Sequence, residues 1–290
     1  MGVRELQRVL VVGAGSIGMG VVRSFGSADY ETAVLSRTPS KLQGRFAKAQ
    51  VVGRLPADAP DLIVECIPEV AELKLRLYAE IEERYGGRSI IASNTSGLPL
   101  DDLAKPLRFR AQFMGLHYLF PADASEFVEL TRVAGTADEA VSRVSAALKR
   151  CGKTAVILNR PVIGALINRL QHAMLREAYY LIQEGIVTAE QIDDVARRLL
   201  GPRMCVSGVI EQKDMSGLDT HALAQRSIVP HLCSDPRPSR ILQDLYENGH
   251  VGLKSGKGFY DWSGADPQAV KAEAALKVER IMSLMRELDD

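Results

Sequence analysis

Residues Arg8 to Gly20 read RVLVVGAGSIGMG. The apolar run Val9 to Val12 enters directly into Gly13-Ala14-Gly15-Ser16-Ile17-Gly18, and helix-compatible residues continue to about Phe25. The order is strand, glycine turn, helix. In that arrangement a dinucleotide pyrophosphate sits on the amino end of a helix, where unpaired N–H groups and the helix dipole favour negative charge. Gly13 allows the tight turn, Gly15 lets the backbone approach the phosphates, and Gly18 lets the helix pack close to the strand. Ligand-free glycine turns share this pattern, so the weight comes from context, a strand before the turn and a helix after it. Gly13, Gly15, Ser16, Ile17 and Gly18 are the expected cofactor-binding residues of the turn.

The whole chain has 290 residues, 46% of them hydrophobic and 25% charged, with a formal net charge of zero. That length suits two domains, and the composition is that of a soluble globular protein. A balanced charge gives no support for nucleic acid or an anionic membrane as the main partner. The four cysteines, at 66, 151, 205 and 233, form no CxxC pair and no cluster with histidine, so no metal site is expected. No apolar run reaches the length of a membrane span and the amino terminus lacks a signal-peptide core, so the expected location is the cytoplasm.

Outward from the glycine turn, the second strand is expected over Glu31 to Ser36, its end facing the adenosine ribose. An acidic residue there usually accepts hydrogen bonds from the ribose of NAD. This chain carries Ser36-Arg37-Thr38, with no carboxylate to repel a 2′-phosphate and a guanidinium able to pair with one. Ser36 and Arg37 thus favour NADP over NAD. The alternative is that Arg37 is an ordinary surface residue. Further strands are expected over Asp61 to Ile67 and Ser89 to Ser93, with a helix from Val70 to Arg84 between them. Leu73, Leu77, Tyr78 and Ile81 fall at helical spacing on that helix and are expected in the core. Asn94-Thr95-Ser96 follows a parallel strand and so lies at the carboxyl edge of the sheet, where such folds place ligands.

Strands are also expected within Leu107 to Tyr118 and over Glu126 to Val133, which separates His117 from Glu129 by a turn around Pro121. That spacing can set a carboxylate against an imidazole across adjacent strands, where it fixes the tautomer and raises the histidine pKa towards working pH. Taken alone, a histidine on a strand is more often structural. A helix over Ala137 to Cys151 and a strand over Thr154 to Leu158 close the first domain. From there helical periodicity takes over. Ala165 to Glu184 is apolar on one face, Thr188 to Gln191 forms a capping box, and Gly252 to Trp262 is a glycine-rich loop with aromatic residues. The tail from Gln268 to Leu288 is an amphipathic helix. The expected fold class is α/β: an N-terminal Rossmann-type doubly wound sheet over residues 1–160, followed by an all-helical domain over 161–290.

The chain resembles the L-3-hydroxyacyl-CoA dehydrogenase family, including the 3-hydroxybutyryl-CoA dehydrogenases and the related L-gulonate 3-dehydrogenase/lambda-crystallin and L-carnitine dehydrogenase branches. GAGSIGMG (13–20), DLIVECIPE (61–69), ASNTSGLP (92–99), GLHYLFP (115–121), FVEL (127–130), INRL (167–170), SGLD (216–219) and GKGFYDW (256–262) occur in that family's order. The resemblance implies a hydride exchanged between NAD(P) and C3 of a 3-hydroxyacyl or 3-oxoacyl substrate. His117 would move the hydroxyl proton and Glu129 would orient it. Ser96 and Asn168 would bind the reacting oxygen or its neighbouring carbonyl, and Glu69 and Lys74 would contact the cofactor. It further implies a homodimer formed through the helical domain, and NAD as the family's usual cofactor.

Four features depart from the family. Ser36-Arg37 stands where NAD-dependent members carry an acid. The stretch between Arg37 and Asp61 is much shorter than the helical excursion that helps CoA-using members bind CoA. Phe120 stands where Asn is usual, and Ala165 and Ser207 to Glu211 (SGVIE) depart from the usual Phe and Gly-Pro. Together they imply a specialised substrate, a carrier-protein thioester or a small free 3-hydroxy acid of the gulonate or carnitine type. A non-catalytic, crystallin-like nucleotide-binding protein is the alternative of a different class.

Overall fold

The computed structural model describes residues 5–289. The chain divides into two compact units, one ending at Leu170 and the other beginning at Gln171.

The first unit alternates strands and helices: β1 (Arg8–Val12), α1 (Ser16–Ser27), β2 (Glu31–Leu35), β3 (Ala49–Val52), β4 (Leu62–Glu65), α2 (Ala71–Tyr85), β5 (Ile90–Ser93), α3 (Leu100–Ala104), β6 (Phe113–Tyr118), β7 (Phe127–Arg132), α4 (Asp138–Arg150) and β8 (Thr154–Leu158). The strands form one eight-stranded sheet in the order β3-β2-β1-β4-β5-β6-β7-β8. Neighbours run parallel except β6 and β7, which are antiparallel. The strand order reverses between β1 and β4, so the crevice outside their carboxyl ends is the place for a ligand.

The central strands are apolar on both faces because helices cover both. Val9 and Val11 pack towards Val21, Phe25, Val144 and Leu148, whereas Leu10 and Val12 pack towards Tyr78, Ile81 and Leu103. The period of two along β1 is thus divided between two cores.

Two elements escaped the sequence reading. Strand β3 lies in the stretch from Pro39 to Pro60 and is only four residues long, and α3 has five. Such short segments carry too little periodicity to register. The expectation for α2 also needs correcting. Tyr78 and Ile81 are in the core, but Leu73 is exposed, and the buried face is completed by Lys74, Glu82 and Tyr85.

The second unit takes up most of α5 (Ile167–Gln183), which crosses the boundary, and then α6 (Ala189–Val195), a π-helical turn (Ala196–Leu200), α7 (Gly201–Ser207), α8 (Glu211–Ser216), α9 (Leu218–Ile228), α10 (Arg240–Glu247) and α11 (Pro267–Asp289). The capping box is present, with the Gln191 N–H donating to Thr188 Oγ1 at 3.3 Å and the Thr188 N–H donating to Gln191 Oε1 at 2.9 Å. In the glycine-rich stretch, Phe259 stacks on Tyr179 at 5.5 Å between centroids, and the Tyr260 hydroxyl donates to Asp193 at 2.7 Å. Among the described residues, none after Lys153 is buried. No helix of the described residues is long and apolar enough to cross a membrane.

Candidate functional site

The glycine turn joins β1 to α1 at the point where the strand order reverses. The Gly13 N–H donates to the Leu35 carbonyl at 3.0 Å, and the Cys66 N–H donates to the Val12 carbonyl at 2.7 Å, so the turn is held between β2 and the end of β4. Gly13 has φ +106, and a Cβ there would lie 2.5 Å from the Cys66 carbonyl oxygen. A Cβ on Gly18 would overlap the Gly13 carbonyl, whereas one on Gly15 would meet nothing within 4 Å. Two of the three glycines are therefore required by the protein's own packing. The third leaves open space in front of the helix.

Gly15 caps α1 without a side-chain hydrogen bond, and the first turn, from Ser16 through Ile17 and Gly18, holds no carboxylate. Its backbone N–H groups are left for an anionic guest, which fits a dinucleotide pyrophosphate. Beside the turn, the Ser36 N–H donates to the Val52 carbonyl at 3.1 Å, and Ser36 Oγ accepts from the Thr38 N–H at 3.2 Å. Arg37 is exposed and its guanidinium belongs to no ion pair among the described residues. Between β2 and β3 the chain makes only one 3₁₀ turn, Pro39–Leu42.

At the carboxyl ends of β4 and β5 lies a buried polar network that sequence reasoning missed. Glu65 is fully buried yet fully bonded. Its Oε1 accepts from Lys74 Nζ at 2.6 Å and the Ile67 N–H at 2.8 Å, and its Oε2 accepts from the Tyr78 hydroxyl at 2.6 Å and the Ser93 hydroxyl at 2.8 Å. Burial, reinforced by the Glu65 charge, pushes the Tyr78 hydroxyl far above its ordinary pKa. The signal was present in the sequence: a Glu inside the apolar run DLIVECI, and a Lys four residues before Tyr78 on one helix face. Lys74 is 1% exposed and also lies 3.4 Å from Glu69 Oε2.

Glu69 organises the loop after β5. Its Oε1 accepts from the Thr95 hydroxyl at 2.6 Å, the Gly97 N–H at 2.8 Å and the Ser96 N–H at 3.0 Å. Partial burial pushes its carboxyl up, but the Thr95 and Gly97 hydrogen bonds and the Lys74 charge outweigh that and hold it below its ordinary value. Asn94 has a framework role, since its Oδ1 accepts from the Tyr118 N–H at 2.7 Å and ties β5 to the end of β6. Ser96 itself is exposed.

The antiparallel register of β6 and β7 places His117 directly opposite Glu129. His117 Nδ1 lies 2.6 Å from Glu129 Oε2, with the two residues 9% and 3% exposed. The other carboxylate oxygen accepts from the N–H groups of Leu166 at 2.6 Å and Ile167 at 2.9 Å. The amino end of α5 therefore braces Glu129, and Glu129 braces the imidazole. With the carboxylate accepting Nδ1–H, Nε2 is the free acceptor. His117 lines a small, partly open cavity of about 20 Å³ together with Thr95, Ser96, Gly115, Thr131 and Ala165, a space on the scale of one water molecule. Asn168 follows Ile167 on α5 and is partly buried, but it is not among the residues lining that cavity.

The loop from β6 to β7 presents Phe120 at its tip, 74% exposed. The back of the loop is pinned. Asp123 accepts from Arg23 at 2.6 Å, and Lys153 Nζ donates to the carbonyls of Ser125 at 2.7 Å and Asp123 at 3.2 Å. Gly20 lets α1 approach so closely that a Cβ there would lie 2.9 Å from the Ala122 Cβ. Phe120 is thus carried on a segment seated on the first turns of the dinucleotide helix. Among the described residues there is no cluster of His, Cys, Asp or Glu arranged to hold a metal ion.

Two sequence profiles match the chain in succession. One describes the NAD binding domain of 3-hydroxyacyl-CoA dehydrogenase, over residues 55–161, and the other the C-terminal domain of the same family, over residues 164–262. A probable 3-hydroxybutyryl-CoA dehydrogenase of Bacillus subtilis is 27% identical, over 89% of this chain and 98% of the relative. The 5-formyl-3-hydroxy-2-methylpyridine 4-carboxylate 5-dehydrogenase of Mesorhizobium japonicum is 26% identical, over 78% of this chain and 73% of the relative. A crystal structure of a 5-dehydrogenase of that same description, an NAD⁺-dependent dismutase, superposes with a TM-score of 0.88 at 21% identity, covering 98% of this chain and 99% of that one, and shows a shared fold. The first profile begins after β3, so it leaves out the glycine turn and β1 to β3 and takes in the His–Glu strand pair, while the second takes in α5 to α10. By these matches the chain is an NAD(P)-binding oxidoreductase and belongs to the 3-hydroxyacyl-CoA dehydrogenase family.

Proposed function

We propose that this chain exchanges a hydride between a nicotinamide dinucleotide and C3 of a 3-hydroxyacyl or 3-oxoacyl substrate, with His117 as the acid–base catalyst. The observation that carries the reading is the 2.6 Å contact between buried Glu129 and His117, at the carboxyl edge of the sheet. When bound, the nicotinamide supplies the hydride acceptor or donor. In oxidation, His117 Nε2 takes the proton of the 3-hydroxyl as the C3–H bond breaks, and the C–O bond becomes a carbonyl. In reduction the same nitrogen returns the proton. Glu129 holds the tautomer and stabilises the imidazolium, while Ser96 and Asn168 orient the substrate oxygens.

Glu69 meets the cofactor from the loop it organises, and Lys74 supports Glu69 from behind. Residues 1–160 bind the dinucleotide, and residues 161–290 bind substrate and a second copy of the chain. The partners are this small-molecule or thioester substrate and that second copy, with no nucleic acid or membrane among them, in the cytoplasm. His117→Ala or His117→Gln should abolish turnover while nucleotide affinity survives. Unchanged catalysis on a genuine substrate would sink the mechanism.

For the cofactor we propose NADP, held by Ser36 and by Arg37, which has no ion-pair partner among the described residues. Separate titrations with NADH and NADPH, repeated on Arg37→Ala, test this. Equal or tighter NADH binding, with a ratio the substitution leaves unmoved, would restore NAD.

A second substrate reading is a small free 3-hydroxy acid. It is favoured by the single 3₁₀ turn between β2 and β3 and by a relative whose name gives a pyridine 4-carboxylate, with no thioester, as what it acts on. A panel of acetoacetyl-CoA, its carrier-protein thioester and free 3-hydroxy acids separates the two readings. Activity on none of them, with nucleotide binding intact, would favour the crystallin-like alternative.

A further inference from the structure

Beside the acid–base pair one polar group is left over. Thr131 lies on β7 two residues after Glu129, and its partner across the ladder is Gly115 on β6. Strand alternation puts Gly115, His117, Glu129 and Thr131 on one face of the sheet, while Leu116, Val128 and Leu130 enter the core on the other. On the face of Thr131 itself, Leu100, Phe113 and Val133 belong to the second core. Only 3% of Thr131 is exposed, and its hydroxyl makes no hydrogen bond with any described group. A hydroxyl buried without a partner is unfavourable, so for packing alone valine would be the better residue here.

Thr131 is not sealed in that core. It lines the cavity of about 20 Å³ beside His117, which lies wholly within the sheet unit. Gly115 makes the room, since a Cβ there would come 2.6 Å from a Leu100 methyl and 3.2 Å from the Thr131 Cβ. Ala165 forms another part of the wall. It holds φ +46, a conformation that costs a non-glycine residue, and gives the cavity no more than a methyl group. The space suits one heavy atom with its hydrogens. Thr95 is already committed there, donating to Glu69 at 2.6 Å and accepting from the Leu98 N–H at 3.1 Å. That leaves His117 Nε2 and the hydroxyls of Ser96 and Thr131. No lysine or arginine lines the cavity.

These features define the occupant by its chemistry. A carboxylate is too large for the space and would meet no cation in it. When the 3-hydroxyl meets Nε2, the C1 end of the substrate, free acid or thioester, must therefore point out of the cavity, and the C4 side points in. A single hydrogen-bonding atom on that side satisfies Thr131. We infer that Thr131 is a specificity-determining residue whose hydroxyl receives a hydroxyl on C4 of the substrate, so that the preferred substrates are 3,4-dihydroxy acids or their thioesters. The inference rests on His117 acting at the 3-hydroxyl and names the substrate class of that same site. A substrate without the C4 hydroxyl leaves Thr131 unpaired, and a polar site discriminates against such an analogue.

The test uses two substrates that differ only in the C4 hydroxyl, 3-hydroxybutyrate and 3,4-dihydroxybutyrate, each as free acid and as CoA thioester. For the full chain, Thr131→Val and Thr131→Ser, both kcat/KM and equilibrium affinity for the nucleotide-bound protein are measured. Nucleotide binding and the fluorescence of Trp262, the sole tryptophan, check that the sheet and helical units of each variant are folded. The unaltered chain should favour the dihydroxy substrate by about tenfold, Thr131→Val should erase that preference by weakening the dihydroxy substrate alone, and Thr131→Ser should keep it. A purely structural role would lower both substrates alike in Thr131→Val and leave their ratio unmoved, which overturns the inference. So does an unaltered chain indifferent to the C4 hydroxyl; turnover that still requires His117 then keeps the functional reading and removes only this one. Preferential binding of the dihydroxy compound, lost in Thr131→Val but without turnover of either, supports the subsite and removes the hydride-transfer reading instead. Neither binding nor turnover of any of the four compounds removes both.

Discussion

The sheet unit and the helical unit have similar apolar content but opposite interiors. In the first, two cores flank the sheet so completely that a lysine, a glutamate, a tyrosine and a serine are buried between them, every polar atom of Glu65 paired. In the second, no described residue is buried at all. A charge can be buried only where the surrounding framework is already closed, because desolvation costs several kcal/mol per ion and demands fixed partners. The sheet unit carries its chemistry on such a framework. The helical unit has no such framework among the described residues.

That contrast can be broken or sharpened by measurement, beginning with the largest effect. His117→Gln should cut turnover by about 10²–10⁴-fold while nucleotide binding and the Trp262 unfolding midpoint hold, since the imidazole acts on the reaction and not on the framework. Lys74→Met should destabilise the sheet unit by about 3–5 kcal/mol, since it strands the buried Glu65 carboxylate. Tyrosine signals and nucleotide binding report this loss, and an unchanged stability would mean that Glu65 tolerates the loss of the lysine. Arg37→Ala should weaken NADPH by about 1.5–3 kcal/mol, the worth of a charge-assisted hydrogen bond, and leave NADH unchanged.

Thr188→Ala removes one side of the capping box on α6 and should cost about 1 kcal/mol. Read through Trp262, the loss should appear as a lower unfolding midpoint of the helical unit with nucleotide binding unchanged, because the cap is local. The smallest effect concerns pH. The Glu69 carboxyl is held below its ordinary value, so its contribution to the Thr95–Leu98 loop is complete above that ordinary value and is lost as pH falls through the lower, folded one. Nucleotide affinity should be flat from neutral pH down to the ordinary carboxylate range and fall only as pH drops through the lowered, folded value. Glu69→Gln should remove that acid limb, and an unchanged limb would assign the loss to another group.

Much of the sheet unit was legible in the sequence because its signals are local. The glycine turn and the strands β2, β5 and β6, which lead to Ser36, Asn94 and Tyr118, each declare themselves within a few residues, as does the Thr188 cap in the helical unit. The pairing of His117 with Glu129 needed only the assumption that consecutive strands lie side by side, which the β6–β7 register meets. What did not register was either too short, as with β3 and α3, or non-local. Lys74 has helical spacing from Tyr78, but that it faces inward while Leu73 faces out depends on Glu65, nine residues away on another element. Asn94 was legible as an edge residue, though not as the tie to Tyr118.

By itself, the sequence determined the order of most elements, the glycine turn and the pairing of His117 with Glu129 across adjacent strands, since each depends on spacing along the chain and on side-chain chemistry. Only the tertiary structure decided that Glu129 is braced by the amino end of α5, that Glu65 is paired on all sides, and that no described residue of the helical unit is buried. Those properties depend on which surfaces meet across long stretches of chain, and hydrophobic burial is non-directional. A pattern of apolar residues fixes that a face must be covered but leaves open what covers it.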